Sequence, residues 1–223
     1  MYDNNSGNTR HPFLGDLSID INYSPTEHKA TQFIRSSINN HRWFGLLSTY
    51  NYESNDKMTL SGGIDLRHYT GEHYREVYDL LGGDYYVAND NVAASDSSAV
   101  IRKGDKFSYH NDGIVKWAGV FQQMEYKAGN WTAFVNVSLS NTGYKRIDYF
   151  RPLDLVLEDT TYVQALSYGD TITHDGVNYT VDSEETRATE SDWKWIPGYT
   201  LKTGFNYNID EYNNAFMNIG YLE

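Results

Sequence analysis

The chain has no cysteine, only 4 prolines in 223 residues, and no apolar run near the ~18 residues that mark a transmembrane helix. Without cysteine there is no disulfide framework, no thiolate metal site and no cysteine nucleophile. Without a long apolar run, a helical membrane protein is excluded. Positive charge is also scarce, because 18 Lys and Arg stand against 30 Asp and Glu. The resulting net charge of −12 argues against nucleic acid as a partner, since phosphates attract Lys and Arg.

The chain is instead rich in tyrosine and in long segments where apolar and polar residues alternate. It contains 20 Tyr, 9 Phe and 5 Trp. Residues 43–69 predict two strands joined by a short polar turn, because the second arm carries apolar residues at even positions and polar residues at odd positions. Arms of about 11 residues exceed the ~5 to 6 typical of soluble strands and match the ~9 to 11 of a tilted transmembrane strand.

Two further hairpins repeat this pattern, over residues 113–142 and 197–223. The arm that follows Trp131 has a clean apolar face, and so do both arms of the last hairpin. The arm over residues 114–126 permits two registers, because Val120, Met124 and Tyr126 compete with Trp117 and Phe121 for the apolar face. Both registers are open at this point.

The connections between these hairpins differ in length. A rim or loop segment over 1–30, with one short alternating run at Leu17, Ile19, Ile21 and Tyr23, precedes the first hairpin at 31–69. Long polar loops follow at 70–112, with a helical turn expected at 76–81, and at 143–196, where Asp175-Gly176 predicts a type I′ turn. All short turns would then lie at one edge of the sheet and all long loops, predicted to be extracellular, at the other. Outer-membrane barrels have this asymmetry.

These observations predict an all-β fold. It is an antiparallel meander of about six long strands that forms part of a large transmembrane β-barrel, with aromatic girdles at both ends of the strands. The alternative is a soluble β-sandwich, in which the same apolar residues form one packed core. The residues predicted to face lipid are Leu60, Ile64, Leu66, Val135, Val137, Leu139, Leu201, Phe205 and Ile219.

Three segments also resemble a known family. RSSINNHRWFGLLSTYNY, LSGGIDLRHYTGEHYREVYDLLGGDYY and GYTLKTGFNYNIDEYNNAFMNIGY are similar to the barrel of TonB-dependent outer-membrane receptors, of the type with an N-terminal carboxypeptidase-regulatory-like domain. The resemblance covers most of residues 31–222. It implies a Gram-negative outer-membrane location, contact with outer-membrane lipid, and uptake of a nutrient such as an iron chelate, a vitamin or a glycan.

The family barrel has about 22 strands around a plug domain, whereas this sequence supplies about six strands and no plug. The TonB complex would therefore be contacted only through parts absent from this chain. The first residues also lack the basic start and apolar stretch of a secretion signal, and the last alternating segment runs to Glu223 without a turn. We therefore expect an internal piece of a longer receptor.

The loop at 70–112 carries the residues that the sequence favours for ligand contact, because aromatic faces stack on sugars and chelate rings. Packing within the loop uses tyrosine equally well. The predicted ligand residues are His73, Tyr74, Tyr78, Asp84, Tyr85 and Tyr86.

The sequence gives less indication of metal binding or catalysis. His68 and His73 match no metal-site spacing, and Asp65 with Arg67 predicts a structural ion pair on the polar face of a strand. No GxSxG motif is present, so we predict no catalytic residue, no cofactor and no metal site. The alternative function, tied to the sandwich fold, is a secreted or surface carbohydrate-binding module.

Overall fold

The structure is a computed structural model that describes residues 9–11, 15–17, 24–93 and 100–223, with side chains from residue 24 onward. Within these residues every regular element is a β-strand, and no helix is long and apolar enough to cross a membrane. The strands are β1 Thr9–His11, β2 Gly15–Leu17, β3 Ile34–Asn55, β4 Met58–Asp79, β5 Tyr86–Val87, β6 Val100–Ile101, β7 Lys106–Ala128, β8 Trp131–Asp148, β9 Leu153–Val156, β10 Thr161–Leu166, β11 Ile172–His174, β12 Val177–Tyr179, β13 Thr186–Arg187, β14 Thr189–Glu190, β15 Lys194–Asn208 and β16 Asn214–Leu222.

Six long strands form one sheet in the order β3-β4-β7-β8-β15-β16, with the short β14 paired to β8. Each long strand pairs with the long strand that comes next in the chain. Strand β15 is antiparallel to both β8 and β16. The predicted all-β antiparallel meander of about six strands is therefore confirmed. In the described part of the chain, β3 and β16 are the two edges of this sheet.

The long strands extend further than the sequence indicated. The first hairpin was expected to end at residue 69 and the second to begin at 113, but β4 continues to Asp79 and β7 begins at Lys106. The expected helical turn at 76–81 is wrong, because residues 76–79 are strand and the chain turns at Leu81 and Gly82, both with positive φ. In the extension of β4 alternation gives no signal because both faces carry polar residues, whereas in the extension of β7 Phe107 and Tyr109 alternate with polar residues.

Short ribbons occupy the long connections. The chain turns between β11 and β12 at Asp175 and Gly176, whose φ values are 49° and 79°. Two positive φ values in a two-residue turn are the type I′ geometry, so that prediction is confirmed. The alternating run predicted near the N-terminus lies largely outside the described residues: Leu17 ends β2, while Ile19, Ile21 and Tyr23 are not described.

The chain divides into two compact units. Unit 1 comprises Met1–His41, Gly71–Gly113 and Arg146–Asp192, and unit 2 comprises Arg42–Thr70, Ile114–Lys145 and Trp193–Glu223. Unit 1 has a buried apolar cluster, against which Phe33 packs with its ring 4.8 Å from Phe107 and 4.7 Å from Tyr86. The buried residues of this cluster are Ala30, Val77, Leu80, Ile101 and Phe107.

Unit 2 is a sheet whose register fixes which side chains share a face. Leu201 pairs with Val137 on one side and with Tyr221 on the other. Directly paired residues lie on the same face, and faces alternate along each strand. The apolar residues of β8, β15 and β16 therefore share one face, as the alternation predicted.

Contacts of β7 settle the register that the sequence left open. Asn136 on the polar face of β8 hydrogen-bonds Gln123 across 3.5 Å, whereas Tyr126 contacts Trp131 with ring centroids 5.5 Å apart. Even-numbered residues of this arm therefore share the apolar face with Trp131. The Tyr50 hydroxyl donates to Gln122, which places the even residues of β3 on the same face.

Candidate functional site

On the central strands of unit 2 the apolar face of the sheet is the more exposed one, whereas on the edge strands β3 and β16 both faces are exposed. Val137 is 41% exposed, Leu201 49% and Ile219 61%. On the opposite face Asn136, Ser138 and Thr200 are half-buried. Sheets of soluble proteins normally bury the apolar face and expose the polar one, so this sheet has the reverse arrangement.

The nine residues predicted to face lipid follow this arrangement. Leu60 is half-buried, and the other eight are exposed. Contiguous apolar patches of this kind mark sites of interaction with another protein or with a membrane.

Aromatic rings lie at both ends of the apolar face. At the hairpin end Trp131 contacts Phe205, with centroids 6.1 Å apart. At the other end Tyr199 stacks on Tyr221 at 5.8 Å, and Trp193 stacks on Trp195 at 5.6 Å. Trp195 and Tyr207 are about 12 residues apart on β15, which corresponds to about 40 Å along the strand and about 28 Å along a membrane normal at a tilt of about 45°.

The predicted ion pair lies on the polar face of unit 2. Arg67 donates to both carboxylate oxygens of Asp65, at 2.9 and 2.6 Å. Its guanidinium carbon is 5.9 Å from the ring of Trp43 and 6.0 Å from that of Trp117. Arg67 is thus held by one carboxylate and two indole rings, as expected for a structural ion pair.

A polar cluster in unit 1 brings together groups from β3, β4 and β7. We call Glu72, Lys106, His110 and Asp112 the Glu72 cluster. Lys106 Nζ lies 2.8 Å from Glu72 Oε1 and 3.0 Å from His110 Nε2, and His110 Nε2 lies 3.0 Å from the same Glu72 oxygen. Asn40 donates to the other oxygen of Glu72 at 3.0 Å.

Aromatic residues hold the cluster in place. The Tyr149 ring stacks on His110 with centroids 4.2 Å apart, and its hydroxyl donates to Asp112 Oδ2 at 2.9 Å. Tyr74 meets His110 edge-on at 5.7 Å and lies 4.1 Å from the Lys106 ammonium. The positions of the imidazole and of both carboxylates are therefore fixed by neighbours.

Two groups of the cluster have displaced pKa values. The hydrogen bond from Lys106, with those from Asn40 and His110, lowers the pKa of Glu72 to about 2 against the opposing effect of burial. Burial, together with the hydrogen bond to Asp112, raises the pKa of Tyr149 to about 12. Glu72 is therefore an anion, and Tyr149 a neutral donor, at any physiological pH.

The structure does not gather the six predicted ligand residues into one site. Tyr74 alone of them contacts the Glu72 cluster, while His73 donates to Asn39 at 2.6 Å and Tyr78 is exposed. Asp84 accepts from the backbone N–H of His28 at 2.8 Å. Tyr85 has no exposed surface and Tyr86 packs on Phe33, so both belong to the interior of unit 1 and Tyr85 offers no surface to a ligand.

Sequence reasoning missed the Glu72 cluster. Lys106 lies 34 residues from Glu72 in the chain, and only the pairing of β4 with β7 brings them together. The available signal was the spacing of Lys106, His110 and Asp112 at even positions within one strand, which places their side chains on one face.

Comparison with protein-family models, curated proteins and solved structures finds no match to this chain. The geometry of its own two units is therefore what bears on its function. Unit 2 presents an exposed apolar sheet face with aromatic ends, and unit 1 presents an ordered cluster of ionisable groups.

Proposed function

We propose that this chain is part of a TonB-dependent outer-membrane receptor that takes up a nutrient such as an iron chelate, a vitamin or a glycan. The sheet of unit 2 forms a segment of the barrel wall, with its apolar face toward lipid and its polar face toward the lumen. The observation that supports this best is the exposure of the apolar face, bounded at both ends by aromatic rings. Transmembrane barrels have an outward apolar band about 25 Å tall between two such girdles.

The edges of the sheet support a wall segment rather than a complete wall. Strands β4, β7, β8 and β15 each have a partner on both sides. The edge strands β3 and β16 have a partner on one side only among the described strands. Hydrocarbon does not tolerate unpaired backbone N–H and C=O groups, so further strands of a larger barrel would have to pair with these edges.

The exposures also count against the carbohydrate-binding sandwich. In a sandwich, a second sheet covers the apolar face and buries side chains such as Val137 and Leu201. Both remain more than 40% exposed in the described part of the chain. A lipid contact therefore accounts for these side chains better than a packed core.

A matched pair of charge substitutions on β8 tests the assignment of faces. Val137→Arg places a cation on the face proposed to contact lipid, and Asn136→Arg places it on the face proposed to line the lumen. We expect Val137→Arg to cost about 2–4 kcal/mol of stability in the bilayer and Asn136→Arg to cost little. The measurement is insertion of the refolded full chain into phospholipid vesicles, followed by flotation and by far-UV circular dichroism.

Two results would contradict the proposal. One is equal insertion of both variants, which would mean that the faces are not distinguished by lipid. The other is a compact, soluble monomer of the unsubstituted chain with a cooperative melt in the absence of detergent. In that case a panel of glycans would test the carbohydrate-binding alternative.

A further inference from the structure

The Glu72 cluster has the geometry of a cation site that is occupied by a side chain. Lys106 Nζ contacts Glu72 Oε1 at 2.8 Å and His110 Nε2 at 3.0 Å. The same Nε2 atom lies 3.0 Å from Glu72 Oε1, so the ammonium stands against both the carboxylate and the imidazole. Histidine is a common metal ligand through either ring nitrogen.

We propose that Glu72, His110 and Asp112 form a binding site for a divalent transition-metal ion such as zinc, and that the Lys106 ammonium occupies this site when no metal is bound. Their donor atoms all lie within 4.8 Å of one another. Two ligands at about 2.0–2.1 Å from a tetrahedral ion are about 3.3 Å apart, close to the 3.0 Å between Glu72 Oε1 and His110 Nε2. The site concerns unit 1 alone and does not depend on the function proposed for unit 2.

Asp112 supplies an independent reason to expect a cation. Its Oδ1 atom is inaccessible to solvent and has no hydrogen-bond partner among the residues that the structure describes, although its other oxygen accepts from Tyr149. Buried carboxylate oxygens are normally satisfied by a donor or a cation. A metal ion between Asp112, Glu72 and His110 would satisfy this oxygen.

The surroundings resemble the supporting shell of a metal site. Asn40 holds the second oxygen of Glu72, and Tyr149 both stacks on His110 and orients Asp112. Such partners fix the orientation of metal ligands, and their loss typically lowers metal affinity by about 10–100-fold. Lys106 reaches the cluster through a flexible stem, and its ammonium also lies 4.1 Å from the ring of Tyr74.

The donor set indicates which ions to test. One imidazole and two carboxylates suit zinc and its transition-metal neighbours, and they leave a fourth position for water. Magnesium and calcium prefer oxygen ligands alone. We therefore expect zinc to bind in the presence of excess magnesium.

The test uses the untagged full chain refolded in dodecyl maltoside, with zinc affinity measured by isothermal titration calorimetry and Co²⁺ coordination by visible absorption. His110→Gln should lower zinc affinity by more than about tenfold, since loss of an outer partner alone costs about 10–100-fold. Lys106→Met should raise the affinity, because it removes the competing ammonium. His174→Gln is the matched control, since His174 lies 3.3 Å from a carboxylate of Asp159 outside the cluster, and it should change nothing.

Far-UV circular dichroism establishes that each variant keeps its β-signal, and Asp112→Asn replaces any variant that does not refold. The proposal is overturned if neither the unsubstituted chain nor Lys106→Met binds zinc saturably. It is also overturned if His110→Gln leaves the affinity unchanged, if His174→Gln lowers it equally, if Lys106→Met weakens binding, or if magnesium competes on equal terms.

Discussion

The two units use the same long strands and place their apolar residues in opposite ways. In unit 1 the apolar side chains are inside: Tyr85, Leu155 and Leu166 have no exposed surface. In unit 2 they are outside, as Leu201 and Ile219 illustrate. Burial of apolar area is the main source of stability in water, so unit 1 contains that source and unit 2 needs an apolar solvent to obtain it.

The largest expected effect separates the two units with one type of substitution. Leu155→Ala in unit 1 leaves a cavity in a fully buried position and should cost about 2–5 kcal/mol. Leu201→Ala in unit 2, in detergent, removes a side chain that is 49% exposed and should cost within about 0.5 kcal/mol, as surface changes do. Peptide-resolved hydrogen exchange over residues 153–166 and 199–207 measures both.

Equal effects of these two substitutions would remove the contrast between the units. If Leu201→Ala cost more stability than Leu155→Ala, the apolar face of unit 2 would be packed against other protein. The sandwich alternative would then regain support.

The features that could be predicted from the sequence also differ between the two units. In unit 2 the alternation of β8 predicted the apolar face because Val135, Val137 and Leu139 have polar residues between them. In unit 1 the extension of β4 past Tyr69 was missed because polar residues occupy both faces there. The Glu72 cluster was missed for a different reason, since Glu72 lies on β4 and the other three members lie on β7, and only the pairing of these strands brings them together.

The next largest expected effect is a loss of stability of unit 1 in acid, caused by protonation of Glu72. The folded-state pKa of Glu72 is about 2 against an ordinary 4.5, so the folded state binds this proton more weakly than the unfolded state. The contribution of ionised Glu72 to the stability of unit 1 is therefore fully present above pH about 4.5 and is lost as pH falls toward 2. Hydrogen exchange of unit 1 between pH 6 and 2 should show this loss after correction for the intrinsic exchange rate.

Glu72→Gln supplies the comparison because it cannot titrate. It should make unit 1 less stable than the unsubstituted protein at pH 6, and the two stabilities should converge as pH approaches 2. Parallel curves over that range would mean that the ionised carboxylate contributes no stability of its own. Peptides from unit 2 serve as the internal reference for general acid effects.

The smallest effect compares one hydroxyl in each unit. In unit 1 the buried Thr189 hydroxyl lies 2.6 Å from the Pro152 carbonyl and 2.8 Å from Asp154 Oδ1. Thr189→Val removes this hydrogen bond and should cost about 1 kcal/mol, since Asp154 Oδ1 still accepts from the Gln164 N–H. In unit 2 the half-buried Ser138 hydroxyl bonds Thr200 at 2.5 Å. Ser138→Ala should cost less, because water reaches the remaining hydroxyl on an accessible polar face. Hydrogen exchange near each site, measured in the same refolded preparation, shows which substitution loses more stability. A larger loss of stability for Ser138→Ala would mean that water reaches the polar face of unit 2 less than its exposure indicates.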